Sequence, residues 1–222
     1  MVKRLAALAL LLFVSAAVWA EDVKNPVAEL AAKVDKHYNS LISMKADFTE
    51  SYNGMGISRK EAGRLWLKKP GKMRWEYTEP REKLFVSDGK TAWFYVPGEQ
   101  QARRVPVKKL DDIRSPVRYL LGKTKLLKEF DELGFAPNIK PLTAGNWILR
   151  GTPKGMEDRV SLIVLEVTPE GRIDRLMMEE VDGAVTEFRF SNELENALVG
   201  ESKFRFKPPA GVEVVEATEL GN

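Results

Sequence analysis

Few side chains in this sequence are equipped for covalent chemistry. The 222 residues include one histidine, His37, and no cysteine. That composition excludes thiol nucleophiles, zinc fingers, iron–sulfur clusters and disulfide frameworks. It also excludes a multi-histidine metal site and argues against a Ser–His–Asp triad. Carboxylates and lysines remain available, yet pairs such as Glu179-Glu180 read as solvated edges, and nothing places two carboxylates about one confined substrate. No Gly-rich phosphate loop or metal-ligand spacing is present. The expectation is a protein that is not an enzyme and needs no cofactor or metal.

Two runs, Lys72-Met73-Arg74-Trp75 and Lys203-Phe204-Arg205-Phe206-Lys207, interleave basic and aromatic residues as single-strand nucleic-acid binders do. A half-buried strand with a solvated outer face produces the same letters, and charge decides between the two. The formal net charge of +3 falls by two units if the N-terminal segment is removed, so no nucleic-acid partner is expected. The chemistry left is physical: large aromatics that could line a pocket for something apolar. Alternation puts Arg64, Trp66 and Lys68 opposite Leu65 and Leu67, Met73, Trp75 and Tyr77 opposite Arg74 and Glu76, and Trp93 and Tyr95 opposite Phe94 and Val96. Core packing accounts for any one of these rings. Together they exceed what one helix on one face covers, so part of the surface is expected to line a ligand compartment.

The elements that would hold these residues are mainly strands. From Asn25 to Met44, Val27, Leu30, Val34 and Leu41 recur with helical spacing; Asn25 suits an N-cap and Pro26 the first helical position. His37 lies on the same stripe and reads as a core-edge residue. The period then becomes two, with turns at Asn53-Gly54, Lys69-Pro70-Gly71-Lys72, Glu79-Pro80-Arg81, Ser87-Asp88-Gly89-Lys90 and Pro97-Gly98. This predicts strands near 45–52, 61–68, 73–78, 83–87, 91–96 and 102–106. A second series is predicted at 146–151, 158–168, 172–181, 184–191 and 203–207. Between the series, residues 108–134 break the pattern. Ser115-Pro116 opens a short apolar helix, Val117 to Leu121, and Leu126, Leu127, Phe130 and Leu133 mark another that ends at Gly134. The fold expected is mainly β: about eleven antiparallel strands that curl into an incomplete barrel, with an N-terminal helix and a helical lid over a hydrophobic cavity.

Residues 1–20 read as an export signal. Lys3-Arg4 precede an apolar run from Leu5 to Val14, and Val18 and Ala20 suit cleavage after Ala20. A retained membrane anchor is the competing reading, but the run is shorter than the ~20 residues a span requires. Residues 21–222 are expected to form one exported domain.

The segments Gly63-Arg64-Leu65-Trp66-Leu67-Lys68-Lys69-Pro70-Gly71-Lys72-Met73-Arg74-Trp75, Glu79-Pro80 and Leu84 through Tyr95 resemble the LolA family of periplasmic outer-membrane lipoprotein carriers. So do Phe48-Thr49, Ser115-Pro116 and Phe204 through Val212. The resemblance implies a half-barrel whose cavity receives the acyl chains of lipoproteins. An inner-membrane lipoprotein-releasing ABC transporter would supply them and an outer-membrane lipoprotein acceptor would take them. It implies that Phe48, Trp66, Trp75, Trp93 and Tyr95 bind cargo or support the cavity, with Leu120 and Leu121 as lid contacts. It also implies a lid latch at Lys69, where family members commonly carry Arg before the proline. The carrier is expected to be a monomer. The rival expectation is a related half-barrel that senses lipoproteins or envelope lipids as a regulator.

Overall fold

The computed structural model describes residues 25–110, 119–120 and 125–217. The expected export signal and its expected cleavage after Ala20 lie outside the described residues, as do Ser115-Pro116 and Leu121.

Helix α1 spans Pro26–Ser40 and starts as its sequence requires. The Asn25 carboxamide oxygen accepts from the amides of Val27 and Ala28 at 3.1 and 3.3 Å, satisfying two of the orphan donors of the first turn. Leu41 is already extended, so Met44 belongs to the first strand. Leu30, Ala31, Val34 and Tyr38 form the buried stripe.

Strands β1 (Ser43–Gly54), β2 (Ile57–Lys68), β3 (Lys72–Glu79), β4 (Lys83–Asp88), β5 (Thr91–Tyr95) and β6 (Gln101–Pro106) make one meander. Strands β7 (Phe130–Phe135), β8 (Trp147–Pro153), β9 (Val160–Val167), β10 (Ile173–Glu180) and β11 (Val185–Glu195) make another. The two are joined by antiparallel pairing of β1 with β11, Phe48 opposite Phe190. Strand β12 (Glu213–Glu216) adds to β6 in parallel. The order β12-β6-β5-β4-β3-β2-β1-β11-β10-β9-β8-β7 gives one open sheet of twelve strands among the described residues.

Two predicted elements take other forms. The helix expected to run to Gly134 is the single turn α3 (Leu126–Glu129), after which the chain enters β7. Glu132, at φ 50°, cannot continue a helix, and pairing of Phe130 with Pro153 claims the backbone for the sheet. The strand expected at 203–207 is instead a 3-10 turn, Glu201–Phe204, followed by an irregular strap. A further helical turn, α2 (Val107–Leu110), follows β6.

Curling gives the sheet two faces. On the concave face one core joins the α1 stripe to Met44, Phe48, Leu65, Trp75, Leu165, Leu176 and Phe188, among others. On the convex face a smaller cluster of Ala136, Ile148 and Val164 lies under the 136–146 connection. That connection is tied down by the fully buried Glu166, whose carboxylate accepts from the amides of Leu142 and Thr143 and pairs with Arg175 at 3.0 Å.

Candidate cargo-binding site

The concave wall is built by register. Phe48 stands opposite Gly63, and Gly63 opposite Tyr77. Because Gly63 has no side chain, rings on β1 and β3 meet across β2: Phe48 lies 5.0 Å from Tyr77 and 4.7 Å from Trp75, both edge-on. A Cβ at Gly63 would fall 2.0 Å from the Glu76 carbonyl oxygen. Trp75 continues the wall to Phe188 at 5.7 Å, and Phe188 stacks in parallel with Phe190 at 6.3 Å. These edge-to-face and offset contacts are the favoured geometries of aromatic quadrupoles.

This wall is covered. The α1 stripe, Tyr119, Leu120 and Leu126 of the 108–134 segment, and Phe130 all belong to the same core; Tyr119 and Leu120 are buried, and Tyr119 packs 5.2 Å from Phe130. Where α1 ends, the cleft between Leu41, Met44, Leu67, Lys69 and Leu120 has about 10 Å³ of room, the size of one water. The protein's own apolar side chains therefore occupy the concave space.

The cover is fastened by polar contacts. Lys69 Nζ donates to the carbonyls of Tyr38 and Asn39 at 2.6 and 3.0 Å, two of the groups a helix leaves unpaired at its C-terminus, where a cation is favoured. Burial holds the Lys69 ammonium below the ordinary lysine pKa. The Tyr38 hydroxyl accepts from the Ile173 amide at 2.9 Å, and burial pushes its pKa well up. Asp35 Oδ1 accepts from the Leu126 amide at 3.1 Å, joining α1 to α3. Lys33 donates to the Pro169 carbonyl at 2.8 Å. Gly171, at φ 97°, lets the β9–β10 turn approach the backbone of Lys33, where a Cβ would be 2.5 Å away.

Of the residues singled out in the sequence, Phe48 and Trp75 share the concave wall and Leu120 lies in the cover. Leu121 lies outside the described residues. The side-chain bonds Lys69 makes among the described residues go to α1 rather than to the 108–134 segment. Trp66, Trp93 and Tyr95 require a correction, because they stand on the convex face. Register pairs Leu65 with Trp75, but Trp66 with Arg74 and Arg74 with Val86 and thence Trp93. These three rings are covered by the C-terminal strap instead. Lys203 Nζ sits 3.8 Å over the Trp66 ring, and Phe206 packs 5.5 Å from both Trp93 and Tyr95. Phe204 is buried, while Glu201 bridges Lys68 and Lys72. Phe188, Phe190, Tyr77 and Tyr119 complete the wall and cover. Their sequence signal was present for the first pair, as two rings two residues apart in one strand.

A family model, "Outer membrane lipoprotein carrier protein LolA", matches residues 39–207. The chain belongs to the LolA family. The LolA match takes in the aromatic wall, Lys69 and the strap through Lys207, and leaves most of α1 and all of β12 outside it. Among curated relatives, the outer-membrane lipoprotein carrier protein of Nitrosospira multiformis is 33% identical over 179 residues, 78% of this chain and 82% of that protein. The one of Salmonella paratyphi A is 31% identical over 203 residues, 90% and 91%. The solved structure of MucB has a TM-score of 0.50 at 16% identity, covering 85% of this chain and 65% of MucB. Mycobacterium tuberculosis lipoprotein LppX also reaches 0.50, at 12% identity over 78% of this chain and 97% of that one. Outside the lipoprotein-carrier relatives, this LolA half-barrel thus shares its fold with these two proteins.

Proposed function

We propose that this LolA-family chain carries acylated lipoproteins through the periplasm, taking them from an inner-membrane releasing transporter and giving them to an outer-membrane acceptor, without covalent chemistry. The supporting observation is an aromatic wall whose present occupants are side chains of a separately fastened cover. When α1 and the lid segment withdraw, acyl chains replace Leu30, Val34, Tyr119 and Leu120 against Phe48, Trp75 and Phe188. Like replaces like, so the exchange is close to balanced, and each methylene that leaves water for the wall contributes ~0.8 kcal/mol. A near-balanced exchange suits a protein that must release what it binds. Lys69 is the clasp of the closed state, and residues 1–20 are the export signal, removed after Ala20.

The test incubates the purified exported chain with spheroplasts that display newly acylated lipoprotein. Lipoprotein recovered in the soluble fraction bound to the protein is the expected result. Lipoprotein that stays on the membrane, while a relative such as the Salmonella carrier releases it, removes the proposal.

A further inference from the structure

The aromatic wall stops short of the far end of the half-barrel. Strand β1 begins at Ser43, beside the end of α1, and its concave positions are Met44, Ala46, Phe48 and then Glu50. At Glu50 the strands on the β2–β4 side change character together, while on the other side Glu50 still stands opposite Phe188 of β11. Glu61 stands opposite Glu50 on β2, and Lys83 on β4 stands opposite Tyr77 on β3. The Tyr77 hydroxyl donates to Glu50 Oε2 at 2.8 Å. Lys83 Nζ donates to the Glu61 carboxylate at 2.6 Å and sits 4.3 Å over the Tyr77 ring. Arg59 Nε, two residues earlier on β2, lies 3.2 Å from the Glu61 carboxylate. The Glu61 side chain is 6% exposed, and burial raises the pKa values of both the Glu50 carboxyl and the Tyr77 phenol. At the same end of the strands Met156, in the β8–β9 connection, is buried in the apolar core.

These groups satisfy one another. A charged pair taken out of water is tolerated when it is well hydrogen-bonded, and separating it is severe. The network is therefore a poor recruiter of a new polar ligand and a firm obstacle to an apolar one. A methylene pressed against it meets paired charges instead of rings and gains no transfer free energy.

We infer that the Glu50–Tyr77 and Glu61–Lys83 pairs are a depth stop that sets the longest acyl chain from which the protein draws affinity. The inference rests on the carrier reading of the concave face. The wall from Met44 to Glu50 is six residues, ~20 Å at ~3.3 Å per residue. Each methylene laid along it raises affinity ~4-fold, and one that would pass Glu50 adds nothing.

The test uses the whole exported chain and synthetic triacylated lipopeptides whose acyl chains lengthen two carbons at a time from ten to twenty, with binding read by displacement of an apolar fluorophore. Affinity is expected to climb with length and then level off. In the double variant Glu50→Leu/Tyr77→Phe the levelling moves to longer chains by two carbons or more. If that variant fails to fold, the unaltered protein decides the matter. Lipopeptides carrying a photoreactive group at the chain terminus are expected to label Glu50 or Tyr77 at the levelling length, and not Tyr52 or Thr186 beyond them. A monotonic climb without levelling, an unmoved break in a folded double variant, or labelling of Tyr52 or Thr186 overturns the depth stop and leaves the carrier reading standing. Failure of every lipopeptide to bind overturns the carrier reading itself.

Discussion

Replacing Lys69 with Met tests the clasp directly, because the stem is kept and only the donors are lost. Lys69 Nζ makes two charge-assisted hydrogen bonds, at 2.6 and 3.0 Å, to the carbonyls that end α1. Bonds to charged groups contribute ~1.5–3 kcal/mol each when buried. The Lys69 side chain is partly solvated, and water replaces part of what is lost on the helix end, so the closed state should lose about 1–2 kcal/mol in total. That shifts the closed–open equilibrium toward open by roughly 5- to 30-fold. On the proposed mechanism cargo binds the open state, so apparent lipopeptide affinity should rise by the same factor, as when a binding-competent minor state becomes more populated. Two measurements check the chain of inference: displacement titration with a triacylated lipopeptide, and hydrogen exchange at the amides of residues 34–40. Faster exchange with unchanged affinity would show that cargo does not need α1 to leave. Unchanged exchange would show that Lys69 is not a clasp, and Lys69→Arg, which keeps the donors, should behave close to the unaltered protein in both assays.

Glu193, with a 5% exposed side chain 3.9 Å from Arg172, has a carboxyl that burial pushes up to about 7, and its Oε2 lacks a hydrogen-bond partner among the described residues. A carboxyl raised on folding favours the folded state below pH ~4.5 and loses that contribution as pH climbs toward 7. The Glu193 carboxyl alone should therefore remove about 3 kcal/mol of stability over this window in urea unfolding, a contribution that Glu193→Gln takes away; an equal slope in the variant would refute the assignment. Phe204→Ala, at a 1% exposed convex-side position, should cost ~3–5 kcal/mol and lower the melting temperature by roughly 6–20 °C. Lipopeptide affinity at 20 °C should stay within twofold, and a large loss of affinity would mean that the strap contributes to the site. Gly171→Ala places a Cβ against the Lys33 backbone and should push α1 off the β9–β10 turn by ~2 kcal/mol, seen as faster exchange in α1; unchanged exchange would show that the turn yields instead.

The meander, its turns and α1 were legible in the sequence because alternation, Gly–Asp turn chemistry and the Asn25-Pro26 start are local signals. The faces of the sheet were not. Alternation shows that Trp66 opposes Leu65 within β2, but only the cross-strand register, Leu65 with Trp75 and Trp66 with Arg74, reveals that the two tryptophans look in opposite directions. The strap misled for a related reason. Lys203 to Phe206 reads like a strand because it lies across the convex face, where Lys203 covers Trp66 of β2, Phe204 is buried and Phe206 packs on the rings of β5. Strand β7 was hidden because Leu126, Leu127, Phe130 and Leu133 have helical spacing, and its extended form depends on β8, about twenty residues further on. Strand β12 was missed because four residues, Glu213–Glu216, carry too short a pattern; β6, a hundred residues earlier, gives it its partner.

The seam between β1 and β11 has a kinetic consequence. Within each meander, strands pair with sequence neighbours, so loop closure is cheap and each half can assemble from local contacts. Between the two meanders it is the seam that brings Phe48 to Phe190 across most of the chain. Seam closure is thus the slow, high-contact-order step of folding. Until it happens, the strand edges of β1 and β11 and the rings of Phe48, Phe188 and Phe190 are exposed together. A newly exported chain is therefore most prone to aggregate during that interval, and the same pairing that completes the aromatic wall ends it.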